Sequence, residues 1–252
     1  VEFLEENKEA SLYMMKTALQ EYYSASGGMH YIGVPKELVD RHEERFVRVD
    51  QITEIGQGVY LIPQSTQGLE TIGEKAKLYV RREGVDCPDD FSHELSLVFD
   101  TERGLVIFNS CSHGGPDNII DEVKRTYPGQ EIRAIIGGFH LCGKSKKEVQ
   151  ALAKRMKETG VKEIYTGHCT GKRAYRILKE ELGDLLCITD QDGCDYFHAD
   201  RPAWHLDPVR SGGGIVLNYG VHQLDRIHWL MGQKTVRFHA QYLIRKPGVN
   251  TC

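Results

Sequence analysis

Three short glycine-rich segments of this 252-residue chain each contain a histidine. They are SCSHGG with His113, GGFHLCG with His140 and TGHCTGK with His168. Neutral imidazole is the commonest metal-binding side chain, and metal sites draw ligands from several loops. Glycines allow tight turns and a close approach of the backbone to a ligand. The repeated pattern therefore predicts a shared site, with a metal ion as the first interpretation.

Two other interpretations stay open. Taken alone, each histidine is more typical of a partly buried, hydrogen-bonded side chain than of a ligand. The glycine-rich segments could instead hold a phosphate through backbone amides, with Lys144 or Lys172 nearby. The metal and phosphate interpretations are compatible with each other.

The elements that must position these histidines alternate in type. The apolar runs GLVIF, EIRAII and VKEIY are typical of buried strands, and they alternate with helical patterns at residues 116–128, 145–160 and 171–184. This rhythm predicts an α/β layer. Loops at the strand ends of such a layer present side chains to a common pocket.

The remaining segments are less regular. Residues 3–25 mix good helix formers with apolar residues at roughly helical spacing and predict a helix, although their first part also fits a helix end running into a short strand. Short β-rich runs follow between residues 44 and 110, and residues 185–191 predict one more strand.

Composition limits the class of partner. The chain is 40% hydrophobic and 27% charged, with a net charge of -4, so no basic field favours nucleic acid. No stretch approaches the roughly 18 apolar residues of a membrane span, and the first ten residues lack signal-peptide features. The seven cysteines include no CxxC pair and are typical of free thiols in a reducing compartment. We expect a cytoplasmic protein.

The segments HELSLVFDTERGLVIFNSCSHGGPDNII, IIGGFHL and YTGHCTGKRAYRILKEELGD resemble the later part of metallo-β-lactamase-fold hydrolases. Within that fold they are most similar to the dihydropterin ribofuranosylaminobenzene phosphate synthase-like subgroup. The resemblance covers about residues 1–188 and implies an α/β fold, an αββα sandwich whose N-terminal part is missing. It also implies one or two divalent metals, zinc first with iron or manganese as alternatives, and a metal-bound hydroxide that attacks a phosphoester or related ester.

The resemblance also implies residue roles. His113 and His168 match metal ligands, His140 lies where a bridging ligand or substrate contact is common, and His93 matches a position near the substrate. Cys111 and Cys169 match neighbours of the histidines. Because residues adjacent along a strand end tend to point apart, we leave both cysteines out of the expected metal set.

The strongest ligand motif of that fold, HxHxDH, does not occur in the sequence. A catalytic zinc usually has three protein ligands and a water. We therefore expect an incomplete metal site, and a hydrolase that is inactive unless further sequence supplies the motif.

A second resemblance covers about residues 194–252. The segment SGGGIVLNYGVHQLD is similar to the substrate domain of the glucose-fructose oxidoreductase and inositol dehydrogenase family, which uses a nicotinamide cofactor. It implies that His222 serves substrate binding and proton transfer, whereas Asn218 stands where an aspartate is common. The GxGxxG fingerprint of a cofactor domain is absent.

These two resemblances predict a composite chain. It would comprise an incomplete metallo-β-lactamase-like domain at residues 1–188, a junction at 189–197 and an oxidoreductase-like α+β fragment, unrelated to the first domain, at 198–252. His222, Asp225 and His228 share nearly one helical face, but the apolar residues around them favour a packed or interface helix over a substitute metal site.

Three functions follow as hypotheses. The first is a metal-dependent hydrolase of a small-molecule substrate, phosphorylated or otherwise esterified. The second is a non-catalytic binding or scaffold module with the same fold, and the third is a fragment of a nicotinamide-dependent oxidoreductase. We expect neither nucleic acid nor membrane as a partner, and we keep a homo-oligomer open.

Overall fold

The computed structural model describes Leu4 and residues 7–183. The predicted strand at 185–191, the junction at 189–197 and the fragment at 198–252 with His222 lie outside the described residues. The described strands are β1 (Leu12–Met15), β2 (Glu21–Ser24), β3 (His30–Tyr31), β4 (Phe46–Val49), β5 (Thr53–Gly56), β6 (Val59–Pro63), β7 (Leu78–Arg82), β8 (Val85–Pro88), β9 (Leu95–Thr101), β10 (Gly104–Cys111), β11 (Ile132–Gly138) and β12 (Glu163–Gly167).

The helices are α1 (Lys36–Arg41), α2 (Glu70–Ala76), α3 (Pro116–Thr126), α4 (Lys146–Thr159) and α5 (Lys172–Leu182). The start of α4 is set by a capping box, in which Ser145 accepts a hydrogen bond from the Glu148 amide and the Glu148 side chain accepts one from the Ser145 amide. Gly160 ends α4 with a positive φ of 77°. None of the helices in this part of the chain is long and apolar enough to cross a membrane.

The strands form three sheets. The largest has the order β12-β11-β10-β9-β6-β5, a second has the order β3-β2-β7-β8, and β1 pairs with β4 alone. Strands β10, β11 and β12 run parallel to one another, whereas β9 and β6 are antiparallel to their neighbours. The carboxyl ends of β10, β11 and β12 therefore meet at one edge of the six-stranded sheet.

Helices α3, α4 and α5 cover one face of the six-stranded sheet. The buried cluster between them contains residues of all three helices and of β9, β10 and β11, including Val98, Ile107, Ile135, Ile120, Val149 and Ile177. On the opposite face, Met15 and Val49 of the β1-β4 pair pack with Leu61 of β6. Helix α2 lies against β7 and β8 of the four-stranded sheet. The domain is thus built from sheets between outer helices.

The predicted helix at residues 3–25 is wrong over its later part. Residues 12–15 and 21–24 are strands β1 and β2, with a 3₁₀ turn at Lys16–Leu19 between them. Strand β1 pairs with β4, and β2 pairs with β3 and β7. Pairing with the distant strands β4 and β7, and with the nearby β3, thus overrides a weak local preference for helix.

The other predicted elements among the described residues are confirmed. The β-rich runs between residues 44 and 110 correspond to β4, β5, β6, β7, β9 and β10, and the alternation after residue 111 corresponds to α3, β11, α4, β12 and α5. The short helices α1 and α2 and the strands β3 and β8 are additions that the sequence patterns did not predict.

The buried carboxylate of Glu122 joins α3 to the segment that follows β6. It accepts hydrogen bonds from the backbone amide of Ser65 at 2.9 Å, the Ser65 hydroxyl at 2.7 Å and the Arg125 guanidinium at 2.8 Å. Burial alone would raise the pKa of Glu122, but these donors outweigh it, so the pKa lies below its usual value.

We expect Glu122→Ala to lower the free energy of unfolding by about 1–3 kcal/mol, because the donors of Ser65 and Arg125 lose their acceptor. The depressed pKa means that this contribution is present above the pKa of the unfolded state and is lost as the pH falls through the folded pKa. Urea denaturation at pH 7 and at pH 3 measures both effects. Asp121→Ala, at the exposed preceding position of α3, is the control, and equal losses in the two variants would contradict the assignment.

Candidate metal centre

His113 lies just beyond the end of β10, in the loop that leads into α3. Its imidazole stacks on Phe91, with ring centroids 6.3 Å apart and an interplanar angle of 11°. Its backbone N–H donates to Oε1 of the buried Glu94 at 2.7 Å, and the same oxygen lies 3.4 Å from Nδ1 of the ring. The carboxylate therefore orients His113 so that Nε2 points away from Glu94.

The charge state of His113 follows from these contacts. Burial disfavours the imidazolium, but the adjacent Glu94 carboxylate more than offsets it, so the pKa of His113 lies above its ordinary value. A carboxylate behind a histidine also raises the basicity of the far nitrogen and fixes the ring, as in carboxylate–histidine–metal arrangements. Glu94 is thus a positioning residue for His113.

His140 follows β11 and approaches His113 from the neighbouring loop. The two ring centroids are 4.4 Å apart. The backbone at His140 has a φ of 46°, in the left-handed region that non-glycine residues rarely adopt. Such strain clusters at functional sites, and here it accompanies a side chain that is exposed at the sheet edge.

Cys111 is the third residue that meets His113 and His140. Its Sγ lies 3.4 Å from Nε2 of His113 and 3.4 Å from Nδ1 of His140. The ligand atoms of these three residues all lie within 4.8 Å of one another. Tetrahedral zinc bonded to one sulfur and one nitrogen separates them by about 3.5 Å, given typical bond lengths. The donor set therefore fits a zinc-like ion and leaves a fourth position for water or substrate.

The expectation that cysteine and histidine would point apart is wrong for Cys111 and His113. They are two positions apart rather than adjacent, and the chain turns directly after β10, where the His113 N–H donates to the carbonyl oxygen of Cys111 at 2.9 Å. The two side chains therefore meet, with Sγ 3.4 Å from Nε2. The argument that kept Cys111 out of the metal set applies only to directly adjacent residues, such as His168 and Cys169.

Cys169 lies beside Cys111 and is held by the loop after β11. The two Sγ atoms are 2.9 Å apart, and the backbone N–H of His140 donates to the sulfur of Cys169 at 3.1 Å. The contact with the Cys111 sulfur, helped by the donors at His140, lowers the pKa of Cys169. The same pairing, together with burial, raises the pKa of Cys111.

His168 and His93 lie outside the three-residue group within the described residues. His168 is exposed, begins the 3₁₀ turn His168–Thr170 after β12 and has a φ of 49°. His93 packs on Tyr22, with ring centroids 4.4 Å apart, and its Nδ1 lies 3.6 Å from the buried carboxylate of Asp89. The expected roles of both residues remain predictions.

A cleft of about 430 Å³ opens beside the cluster and is lined by both His113 and His140. The N-terminal end of α3 and one side of α4 form its walls. Its charged lining residues are the cations Lys75, Lys144 and Arg155 and the acids Asp117 and Glu148. Arg155 pairs with Asp117, and Lys144 lies 4.0 Å from Glu148, so the lining keeps a net positive charge.

A solved structure with a similar fold is that of Tm1679, described as a metal-dependent hydrolase of the β-lactamase superfamily. The two chains are 32% identical with a TM-score of 0.60, and the match covers 73% of this chain and 70% of the other. This chain belongs to the metallo-β-lactamase superfamily. Membership in the metallo-β-lactamase superfamily confirms the predicted α/β fold class.

Two curated relatives come from Methanocaldococcus jannaschii. One is 7,8-dihydropterin-6-methyl-4-(β-D-ribofuranosyl)-aminobenzene-5′-phosphate synthase, 36% identical over 105 residues, which is 42% of this chain. The other is the uncharacterized protein MJ0448, 28% identical over 99 residues, which is 39% of this chain. The match spans 36% of the length of each relative.

A family model for the GFO/IDH/MocA C-terminal domain matches residues 173–251. This agrees with the second resemblance and extends it toward the N-terminus, where it overlaps α5 of the metallo-β-lactamase superfamily domain. The match covers less than half of the chain.

Sequence reasoning missed Glu94 and Cys111 as members of the site, although a signal was present. Strands β9 and β10 form a hairpin in which Leu97 is opposite Phe108. Continuing this register by three residues places Glu94 opposite Cys111, at the open end of the hairpin. The short turn between the two β-rich runs indicates that their far ends meet, but the register that brings Glu94 to the CSH segment is seen only in the structure.

We expect Glu94→Gln to weaken zinc binding by about 10- to 100-fold, the usual cost of losing the partner behind a ligating histidine. Competition against a chelating dye measures the affinity. The control is Glu102→Gln, at the exposed turn of the β9–β10 hairpin, which should leave it unchanged. Equal affinities for the wild type and both variants, with unchanged melting temperatures, would show that Glu94 does not position a ligand.

Proposed function

We propose that this chain carries the metal-binding and substrate-binding part of a metal-dependent hydrolase that acts on a small phosphoester or related ester. The observation that carries the proposal is the convergence of Cys111, His113 and His140 within 4.8 Å beside a cleft. Support also comes from Tm1679, described as a metal-dependent hydrolase, over most of the described domain.

Residues of three loops would hold the metal in this proposal. His113 is the central ligand, with Glu94 behind it, and Cys111 and His140 supply the adjacent donors. The family resemblance also implies His168, on the loop after β12, as a ligand, but it lies outside this three-residue group, and its role stays a prediction. When bound, a divalent ion supplies Lewis-acid activation of the ester and acidifies water.

The cleft favours an anionic substrate. Cationic side chains at its wall, Lys75 and Lys144 among them, would attract a phosphate, and the amino end of α3 adds the positive end of a helix dipole. The named activity of one relative is that of a 5′-phosphate synthase, which also favours a phosphorylated compound. His140, which lines the cleft, would contact both the metal and the substrate, and His93 stays a candidate for a substrate contact.

The absent HxHxDH motif determines how many metals we propose. Cys111, His113 and His140 provide one three-ligand position, and the sequence contains no histidine pair of the HxH type. We therefore propose that these 252 residues bind a single metal ion. A second ion would need ligands from additional sequence.

The proposal is tested by metal content and hydrolysis together. The full chain, loaded with zinc or manganese and desalted, should retain about one equivalent of metal and cleave p-nitrophenyl phosphate or bis(p-nitrophenyl) phosphate. His113→Ala should lose the metal, whereas His30→Ala, at an exposed position of β3, should keep it. Equal metal content in the wild type and His113→Ala, or a hydrolysis rate that does not change when a chelator is added, would contradict the proposal.

The charge at the cleft gives a separate prediction. We expect Lys75→Gln to raise the KM for p-nitrophenyl phosphate several-fold at unchanged metal content, because a cation near the anionic group is lost. Lys154→Gln, on the exposed side of α4, serves as the matched control. A KM that changes equally in both variants would argue against phosphate recognition at this wall.

Two further candidates have specific observations behind them. A non-catalytic binding module is favoured by the missing HxHxDH motif, and one equivalent of bound zinc without turnover of either ester would support it. An oxidoreductase fragment is favoured by the family match at residues 173–251. Quenching or enhancement of NADH fluorescence on adding the chain would support the second of these.

A further inference from the structure

The paired thiols of Cys111 and Cys169 are a second chemical feature of the same sheet edge. Both are free and half-buried, and their Sγ atoms are 2.9 Å apart. Cys111 is the last residue of β10, whereas Cys169 lies in the turn after β12. Strand β11 runs between β10 and β12, so the two sulfurs meet across an intervening strand.

Gly138, the last residue of β11, makes that meeting sterically feasible. It pairs with Cys111 on one side and with Gly167 on the other. A Cβ at position 138 would lie 2.6 Å from Sγ of Cys169 and 2.9 Å from the carbonyl oxygen of Ser110. Any side chain at this position would occupy the space in which the sulfurs approach.

The loop after β11 also fixes Cys169. The backbone N–H groups of Leu141 and Cys142 both donate to the carbonyl oxygen of Cys169, each at 3.1 Å. The N–H of His140 donates to its sulfur. Backbone bonds from one loop thus hold the Cys169 sulfur against Cys111.

We propose that Cys111 and Cys169 form an oxidation site that a peroxide converts to a reversible disulfide. One sulfur attacks hydrogen peroxide, the O–O bond breaks, and a sulfenic acid and water are formed. The second sulfur then attacks the sulfenic sulfur, and a second water leaves as the S–S bond forms. Two thiols are oxidised, and one peroxide is reduced to two waters. The sulfurs need to close from 2.9 Å to about 2.05 Å.

Disulfide formation does not depend on the proposed hydrolase function, but its consequence for metal binding does. Cys111 is within 3.4 Å of a ring nitrogen of both His113 and His140. A thiolate is a metal ligand, whereas a disulfide sulfur is a poor one. Oxidation should therefore remove one donor from the metal cluster, and bound zinc should protect the thiols.

Peptide mapping tests the pair directly, because trypsin separates the three nearby cysteines. Cys111, Cys142 and Cys169 fall in residues 104–124, 134–144 and 163–172. After chelation and a stoichiometric dose of hydrogen peroxide, the full chain should yield a peptide 104–124 linked to 163–172, which dithiothreitol separates. Cys142→Ser should leave that yield unchanged, and Cys169→Ser should abolish the link.

Three results would overturn the proposal. One is oxidation of Cys111 and Cys169 to separate sulfinic acids without a link. Another is a scrambled set of links that involves Cys142 as often as Cys169. The third is the absence of any link: if no link forms while the chain still binds zinc, the dithiol inference fails and the hydrolase proposal stands.

A second experiment measures how zinc binding and disulfide formation affect each other. Chain preloaded with zinc should form the disulfide at least 10-fold more slowly than metal-free chain, and oxidised chain should bind zinc at least 10-fold more weakly. Equal rates with and without zinc would show that Cys111 does not ligate the metal, even where the disulfide itself is found.

Discussion

The parallel pairing of β10, β11 and β12 is the constraint on which the rest of the site depends. It brings the carboxyl ends of three strands to one sheet edge, where each strand continues into a loop with a histidine. Strands β10 and β11 lie close together at this edge because β11 ends in glycines. A Cβ at Gly137 would lie 2.0 Å from the carbonyl oxygen of Asn109, so a side chain there would force β10 and β11 apart.

The site also depends on the antiparallel hairpin of β9 and β10. It places Glu94, just before β9, against His113, just after β10, so a buried carboxylate supports the central histidine from behind. The helices on the outer face contribute by burying the sheet from which these loops project. The cluster is therefore positioned by strand register, and its electrostatic character comes from a residue 19 positions earlier in the chain.

The sheet edge combines donors that suit two kinds of chemistry. Nitrogen atoms of His113 and His140 with the sulfur of Cys111 suit a zinc-like ion, whereas the sulfurs of Cys111 and Cys169 suit reversible oxidation. Both uses share the Cys111 sulfur, which cannot serve as a thiolate ligand and as half of a disulfide at once. Metal occupancy and thiol oxidation are thereby linked through one atom.

The sequence by itself determined the alternation of strands and helices after residue 104 and the location of the three histidine loops. It did so because hydrophobic periodicity and capping residues such as Ser145 and Gly160 act locally. Local spacing favoured a helix over β1 and β2 because it cannot show that these segments pair with β4 and β7, which lie far along the chain. Only the tertiary structure decided which side chains meet: it joined Cys111 to His113 and His140 and left His168 outside that group. Convergence depends on strand order and backbone angles, which no local pattern encodes.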